Sequence, residues 1–163
     1  MNTRVALTAL AVALLPSVET ARAEDKEPVA VVALGGAGEW GFPGGNFSRG
    51  PSLAVEFALI KEWLEVEVGG AKLMRRGNSE WETEVVFRKP FTLSETAEFM
   101  IGLGPRWTKG TGEGWKVGTT FMADFMFWSS PERKYGWFVE PSYSISKGER
   151  SMGVSVGLLF GIH

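Results

Sequence analysis

Residues 151–163 read SMGVSVGLLFGIH. Met152, Val154, Val156, Leu158, Phe160 and Ile162 share one parity, while Ser151, Gly153, Ser155, Gly157 and Gly161 share the other, which only Leu159 interrupts. Side chains of a strand point alternately to its two faces. The segment is therefore predicted as a β-strand with one large apolar face and one face of very small residues.

Seven upstream segments fit the same template. The least regular covers residues 29–40, with Val32, Leu34 and Trp40 on one face. In residues 52–60, Leu53, Val55, Phe57 and Leu59 oppose Ser52, Ala54, Glu56 and Ala58. In residues 63–71, Leu64, Val66 and Val68 oppose Glu65, Glu67, Gly69 and Ala71. Residues 80–88 set Trp81, Thr83, Val85 and Phe87 against Glu82, Glu84 and Arg88. Residues 97–107 set Phe99, Ile101, Leu103 and Trp107 against Glu98, Met100, Gly102, Gly104 and Arg106. Residues 115–128 set Val117, Phe121, Phe125 and Phe127 against Lys116, Gly118, Thr120, Met122, Asp124 and Met126. Residues 135–145 set Trp137, Val139, Tyr143 and Ile145 against Gly136, Phe138, Glu140, Ser142 and Ser144. Turn signals separate the segments at residues 41–51, 61–62, 72–79, 89–96, 109–114, 129–134 and 146–150. Eight antiparallel strands with short connections predict an all-β, up-and-down barrel, because closure removes both exposed edges.

Arg4, the apolar run at residues 5–15 and Ala21-Arg22-Ala23 together have the pattern of a cleaved export signal. Residues 1–23 are read as that signal and residues 24–163 as one barrel domain. Without Arg4, Glu19 and Arg22, the 17 basic and 19 acidic side chains become 15 against 18. That balance offers no electrostatic case for nucleic acid binding. The absence of cysteine excludes a disulfide framework and any thiolate ligand or nucleophile. No later apolar run is long enough for a transmembrane helix, so a membrane-spanning form would cross as strands.

Alternation alone permits two opposite proteins. A soluble lipocalin-like barrel turns its apolar face inward and binds an apolar ligand; an outer-membrane barrel turns that face to lipid. Three features favour the second. The weakly apolar face is rich in glycine, alanine and serine, which suit a narrow eight-stranded lumen and weaken a water-facing strand. No charge sits mid-face on the apolar side of the second to eighth segments, where lysine or arginine would cost roughly 2–4 kcal/mol in lipid. Finally, Trp40, Trp63, Trp81, Trp107, Trp115, Trp128 and Trp137 all lie at or beside predicted strand ends. Tryptophan is favoured at membrane interfaces, so these are read as an aromatic girdle.

With these features the chain resembles the small eight-stranded outer-membrane β-barrels of Gram-negative bacteria, of the OmpA transmembrane domain and OmpX type. Residues 98–107 (EFMIGLGPRW) and 123–128 (ADFMFW) are also similar to uncharacterised barrel proteins of proteobacteria. The resemblance is architectural. It implies a monomer in the outer membrane, both termini periplasmic, with lipid bilayer, lipopolysaccharide and the outer-membrane assembly machinery as partners. Such barrels usually end in an aromatic residue that the machinery reads. Here the chain ends Phe160-Gly161-Ile162-His163, which leaves Phe160 or Ile162 to serve.

The implied orientation turns residues 41–51, 72–79, 109–114 and 146–150 outward, and Arg49, Lys72, Arg75 and Arg76 become candidate contacts for lipopolysaccharide phosphates. The lumen would hold an acidic network of Glu56, Glu65, Glu67, Glu82, Glu84, Glu98, Asp124 and Glu140 against Arg88, Arg106 and Lys116. Isolated buried charge is costly, so this set is read chiefly as an internal salt-bridge network filling a plugged lumen. A narrow cation-selective pore is the less favoured reading. Enzyme chemistry is not expected. Barrel deacylases use a His-x-Ser motif that is absent here, and His163 is the sole imidazole. No cofactor or metal is expected. The Gly35-Gly36-Ala37-Gly38 run precedes no helical pattern and is not a dinucleotide loop. The expected role is structural, adhesive or envelope-stabilising.

Overall fold

The computed structural model describes residues 27–75 and 77–163. The export signal read at residues 1–23, and Arg76, lie outside the described residues. Among the described residues the alternating segments form eight strands: β1 (Ala30–Phe42), β2 (Asn46–Ile60), β3 (Leu64–Arg75), β4 (Asn78–Ser94), β5 (Ala97–Gly110), β6 (Lys116–Trp128), β7 (Tyr135–Ser146) and β8 (Glu149–Ile162). Each pairs with the next, and β8 pairs back onto β1 from Ala30↔Ile162 to Phe42↔Arg150. Every pairing is antiparallel, and the sheet is a closed barrel with no free edge.

Closure decides which face is inside. Leu34, Leu53, Val68, Phe87, Leu103, Phe121, Val156 and Leu158 stand exposed on the outer surface. Arg88, Asp124, Glu67, Glu56 and Glu140 are buried within. The lipocalin-like alternative needs the reverse arrangement and is overturned. The narrow interior also explains the small residues of the inner face. Gly102 pairs with Arg88 across β4 and β5, and a Cβ at position 102 would stand 2.6 Å from Arg88 Cγ and 2.8 Å from Val86 Cγ1. A glycine there makes room for the arginine stem.

The strands run further than the periodicity suggested. β2 begins at Asn46 and β4 continues to Ser94, so the expected 41–51 loop shrinks to residues 43–45. Arg49, Lys72 and Arg75 therefore stand on strands and not in loops. The physical reason is that the ladder of backbone hydrogen bonds continues wherever a neighbouring strand is available, whatever the polarity of the side chains. The other connections run from two residues to the six of 129–134, and Lys147-Gly148, both at positive φ (43° and 86°), make a two-residue hairpin of the kind that matches strand twist.

Trp128 is a second correction. It is 6% exposed and packs inside with Val31, Met100, Met126, Phe138 and Leu159. It shares the parity of Asp124 and Met126 on β6, so the strand period turns it inward, where it helps fill the lumen near the chain ends. Lys116 also has inward parity, but it sits at the mouth, where Glu113 (3.0 Å) and Glu149 (3.7 Å) pair with it.

Gly102→Val should overpack the Arg88 level and cost roughly 1–3 kcal/mol. Urea unfolding of the refolded barrel in detergent measures this, and an unchanged midpoint would show that the interior has slack.

Candidate functional site

Two surfaces carry the chemistry: the charged lumen and the apolar outer belt. The lumen is organised in levels, each centred on one cation. Arg88 on β4 has no exposed side-chain surface. Its Nη1 lies 2.8 Å from Glu67 Oε2 on β3, 3.0 Å from Asp124 Oδ2 on β6 and 3.8 Å from Glu140 Oε2 on β7, while Nη2 pairs with Glu56 on β2. One guanidinium thus ties together five strands around the barrel. It can do so because its planar fork of donors suits several carboxylates at once.

The second level lies nearer the 43–45 turn. Arg106 on β5 donates through Nη2 to Glu39 Oε2 (2.5 Å) and to Glu82, and through Nη1 to Ser144 Oγ at 2.7 Å. Ser144 Oγ in turn donates to Thr120 Oγ1 at 3.1 Å. At the opposite end Arg133, in the β6–β7 connection, donates to Glu98 Oε1 at 3.0 Å. Between these levels remain small cavities of about 30 and 40 Å³. Neither would hold a drug-sized apolar ligand.

Of the candidate lumen residues, Glu56, Glu67, Asp124 and Glu140 converge on Arg88, Glu82 joins Arg106, and Glu98 joins Arg133. Glu84 lines the cavity above Arg88, together with Glu67 and Glu140, and Glu65 lines the one below. Two network members escaped the sequence reading. Glu39 has the parity opposite to Trp40 on β1, so alternation would have found it had that strand been more regular. Arg133 sits in a connection, where strand periodicity says nothing about direction.

The outer belt is bounded by aromatic rings at both ends. Trp40, Trp81 and Trp115 are exposed toward the end that carries the 43–45 turn, and Trp107 lies on the same outer face. Trp63 and Trp137 are exposed toward the other end. Trp40 packs on Phe47 at 4.6 Å between centroids, and Phe127 stacks on Trp137 at 4.2 Å. Lys72 Nζ lies 5.1 Å from the Trp81 ring and Lys109 Nζ 5.7 Å from Trp115, within cation–π range. Arg49 stands exposed on the same outer parity as Leu53. Arg75 has inward parity and is exposed at the rim.

No protein-family model matches the chain, and no curated protein matches it in sequence. Solved structures do match in fold. Neisserial surface protein A (NspA) aligns over 82% of this chain and 97% of its own, with TM-score 0.68 and 12% identity. Ail, the attachment invasion locus protein of Yersinia pestis, covers 82% and 98%, with TM-score 0.63 and 15% identity. The outer membrane protein OprG from Pseudomonas aeruginosa covers 85% and 97%, with TM-score 0.62 and 9% identity. The chain has the architecture of these small eight-stranded outer-membrane barrels.

Arg88→Met should leave Glu56, Glu67, Asp124 and Glu140 facing one another without their shared cation. Removing one partner of a buried pair costs about 3–5 kcal/mol, so the urea midpoint should fall steeply. Arg88→Lys should recover only part of the loss, since an ammonium lacks the planar fork.

Proposed function

We propose that this chain is an integral outer-membrane β-barrel with an envelope-stabilising role and a plugged lumen. The observation that supports it best is the belt of exposed apolar side chains, closed on itself and rimmed by aromatics, around a charged interior. Water would penalise that surface over its whole circumference, whereas lipid would not. The shortest strands, β3 and β7, have 12 residues, above the roughly 9–11 that a tilted transmembrane strand needs. The outward-facing charges of the barrel's strands, Arg49, Lys72, Lys89, Lys109 and Arg150, all stand toward strand ends.

With the termini periplasmic, the connections at residues 43–45, 76–77, 111–115 and 147–148 face outward. None is long enough to enclose a protein partner, which favours a stabilising role over an adhesive one. Arg49, Lys72 and Lys109 then lie at headgroup height among Trp40, Trp81 and Trp115, suited to lipopolysaccharide phosphates. Outward-facing Phe160, packed edge-on against Tyr135 at 6.0 Å, is the aromatic group offered to the assembly machinery. A monomer fits the unbroken belt. His163, just beyond the end of β8, has no catalytic role in this reading.

Carbonate or urea washing of membranes tests the reading. The chain should stay in the membrane fraction until detergent is added, and should run faster on gels before boiling than after. Release by carbonate would overturn it. The barrel should also give no steady conductance in planar bilayers, because Arg88 and Arg106 with their acids block the cross-section; an open, cation-preferring channel would replace the plugged lumen with a pore. Joint replacement of Arg49, Lys72 and Lys109 by alanine should lower co-purified lipopolysaccharide several-fold.

A further inference from the structure

We infer that the lumen holds a binding site for one calcium-sized divalent cation between Arg88 and Arg106, formed by Glu67, Glu84 and Glu140, with Asp124 on the wall of the same cavity. One carboxylate oxygen from each of Glu67, Glu84 and Glu140 lies within 4.8 Å of the others. Oxygens bound to one calcium ion at roughly 2.4 Å lie no more than about 4.8 Å apart, so three that are mutually within that limit can share an ion. Glu67 and Glu140 are buried, and Glu84 faces inward from β4.

An independent observation points the same way. The cavity of about 30 Å³ that these three glutamates line is also lined by Asp124 and Ser52. Asp124 is 1% exposed, with Oδ2 committed to Arg88, yet its Oδ1 is buried without a hydrogen-bond partner, as is Ser52 Oγ. Buried polar atoms normally have partners, and two that line one cavity call for something in it. The volume suffices for a single ion or water. Gly69 keeps the space open: it pairs directly with Glu84 across β3 and β4, and a Cβ there would stand 3.2 Å from Glu67 Oε1 and 3.6 Å from Glu84 Cγ.

Charge favours a cation over a lone water. Arg88 is the only cation paired with Glu56, Glu67, Asp124 and Glu140 among the described residues, and Glu84 adds a further acid. The donor set is wholly oxygen, which selects hard cations such as calcium or magnesium. The inference concerns the lumen only, so its failure would leave the membrane reading intact.

Calcium titration of the refolded wild-type barrel in detergent, by calorimetry and by thermal unfolding, tests it. One calcium per chain should bind, and the melting temperature should rise with saturation. Glu84→Gln removes a ligand that makes no ion pair with Arg88 and should weaken binding at least tenfold. Gly69→Ala keeps every acid, narrows the cavity and should also weaken it. Glu65→Gln, a lumenal acid outside the group, should bind as wild type does. Absence of binding at millimolar calcium, equal binding by both Glu84→Gln and Gly69→Ala, or equal loss in Glu65→Gln would overturn the site. Tighter binding of magnesium than calcium would overturn the assignment of ion size.

Discussion

The structure depends on the burial of an arginine that must be neutralised from several sides. Arg88 lies at the centre of the lumen with no exposed side-chain surface. Desolvating a guanidinium is tolerable only when its donors meet acceptors in good geometry. The acceptors come from β2, β3, β6 and β7, so strand order, register and closure must all be right for one side chain to be satisfied. Most of the other inner-face choices follow from this. Gly102 clears its stem, and Met100, Met126, Phe138 and Trp128 fill the space toward the chain ends.

The inverted polarity follows from size. An eight-stranded barrel has an interior only wide enough for side chains, and polar side chains there must find partners within the barrel. The outer surface is much larger and carries the bulky apolar groups. Stability against a bilayer therefore rests on the outside, and specificity of register on the inside, where a slip of one residue would turn every carboxylate into the belt.

Much of this was legible in the sequence. Alternation in β4 to β7 placed Glu82, Glu84, Arg88, Arg106, Asp124 and Glu140 on one side and Phe87, Leu103 and Phe121 on the other, and the structure keeps those faces. Two kinds of information were not legible. Strand ends depend on whether a neighbour offers hydrogen bonds, which is a property of the assembled sheet; hence Arg49 and Lys72 moved from loops to strands. Partnerships across the lumen depend on shear and closure, so the convergence of Glu56, Glu67, Asp124 and Glu140 on a single arginine could not be read from spacing. Trp128 follows its parity on β6 into the lumen, where packing against Met126 and Phe138 outweighs the preference of tryptophan for interfaces.

The distribution of Arg88's partners along the chain has a consequence for how the barrel forms. Arg88 and Arg106 belong to β4 and β5, while Glu140 and Ser144 belong to β7, and Glu39 to β1. A sheet of the first five strands would display both arginines on an open face, short of acceptors and unable to enter a hydrocarbon phase. Only when β7 arrives and β8 joins β1 does that face become an interior. Assembly of the wall and neutralisation of its contents are thus one event, and partly built forms are unstable both in lipid, because of their charges, and in water, because of their belt.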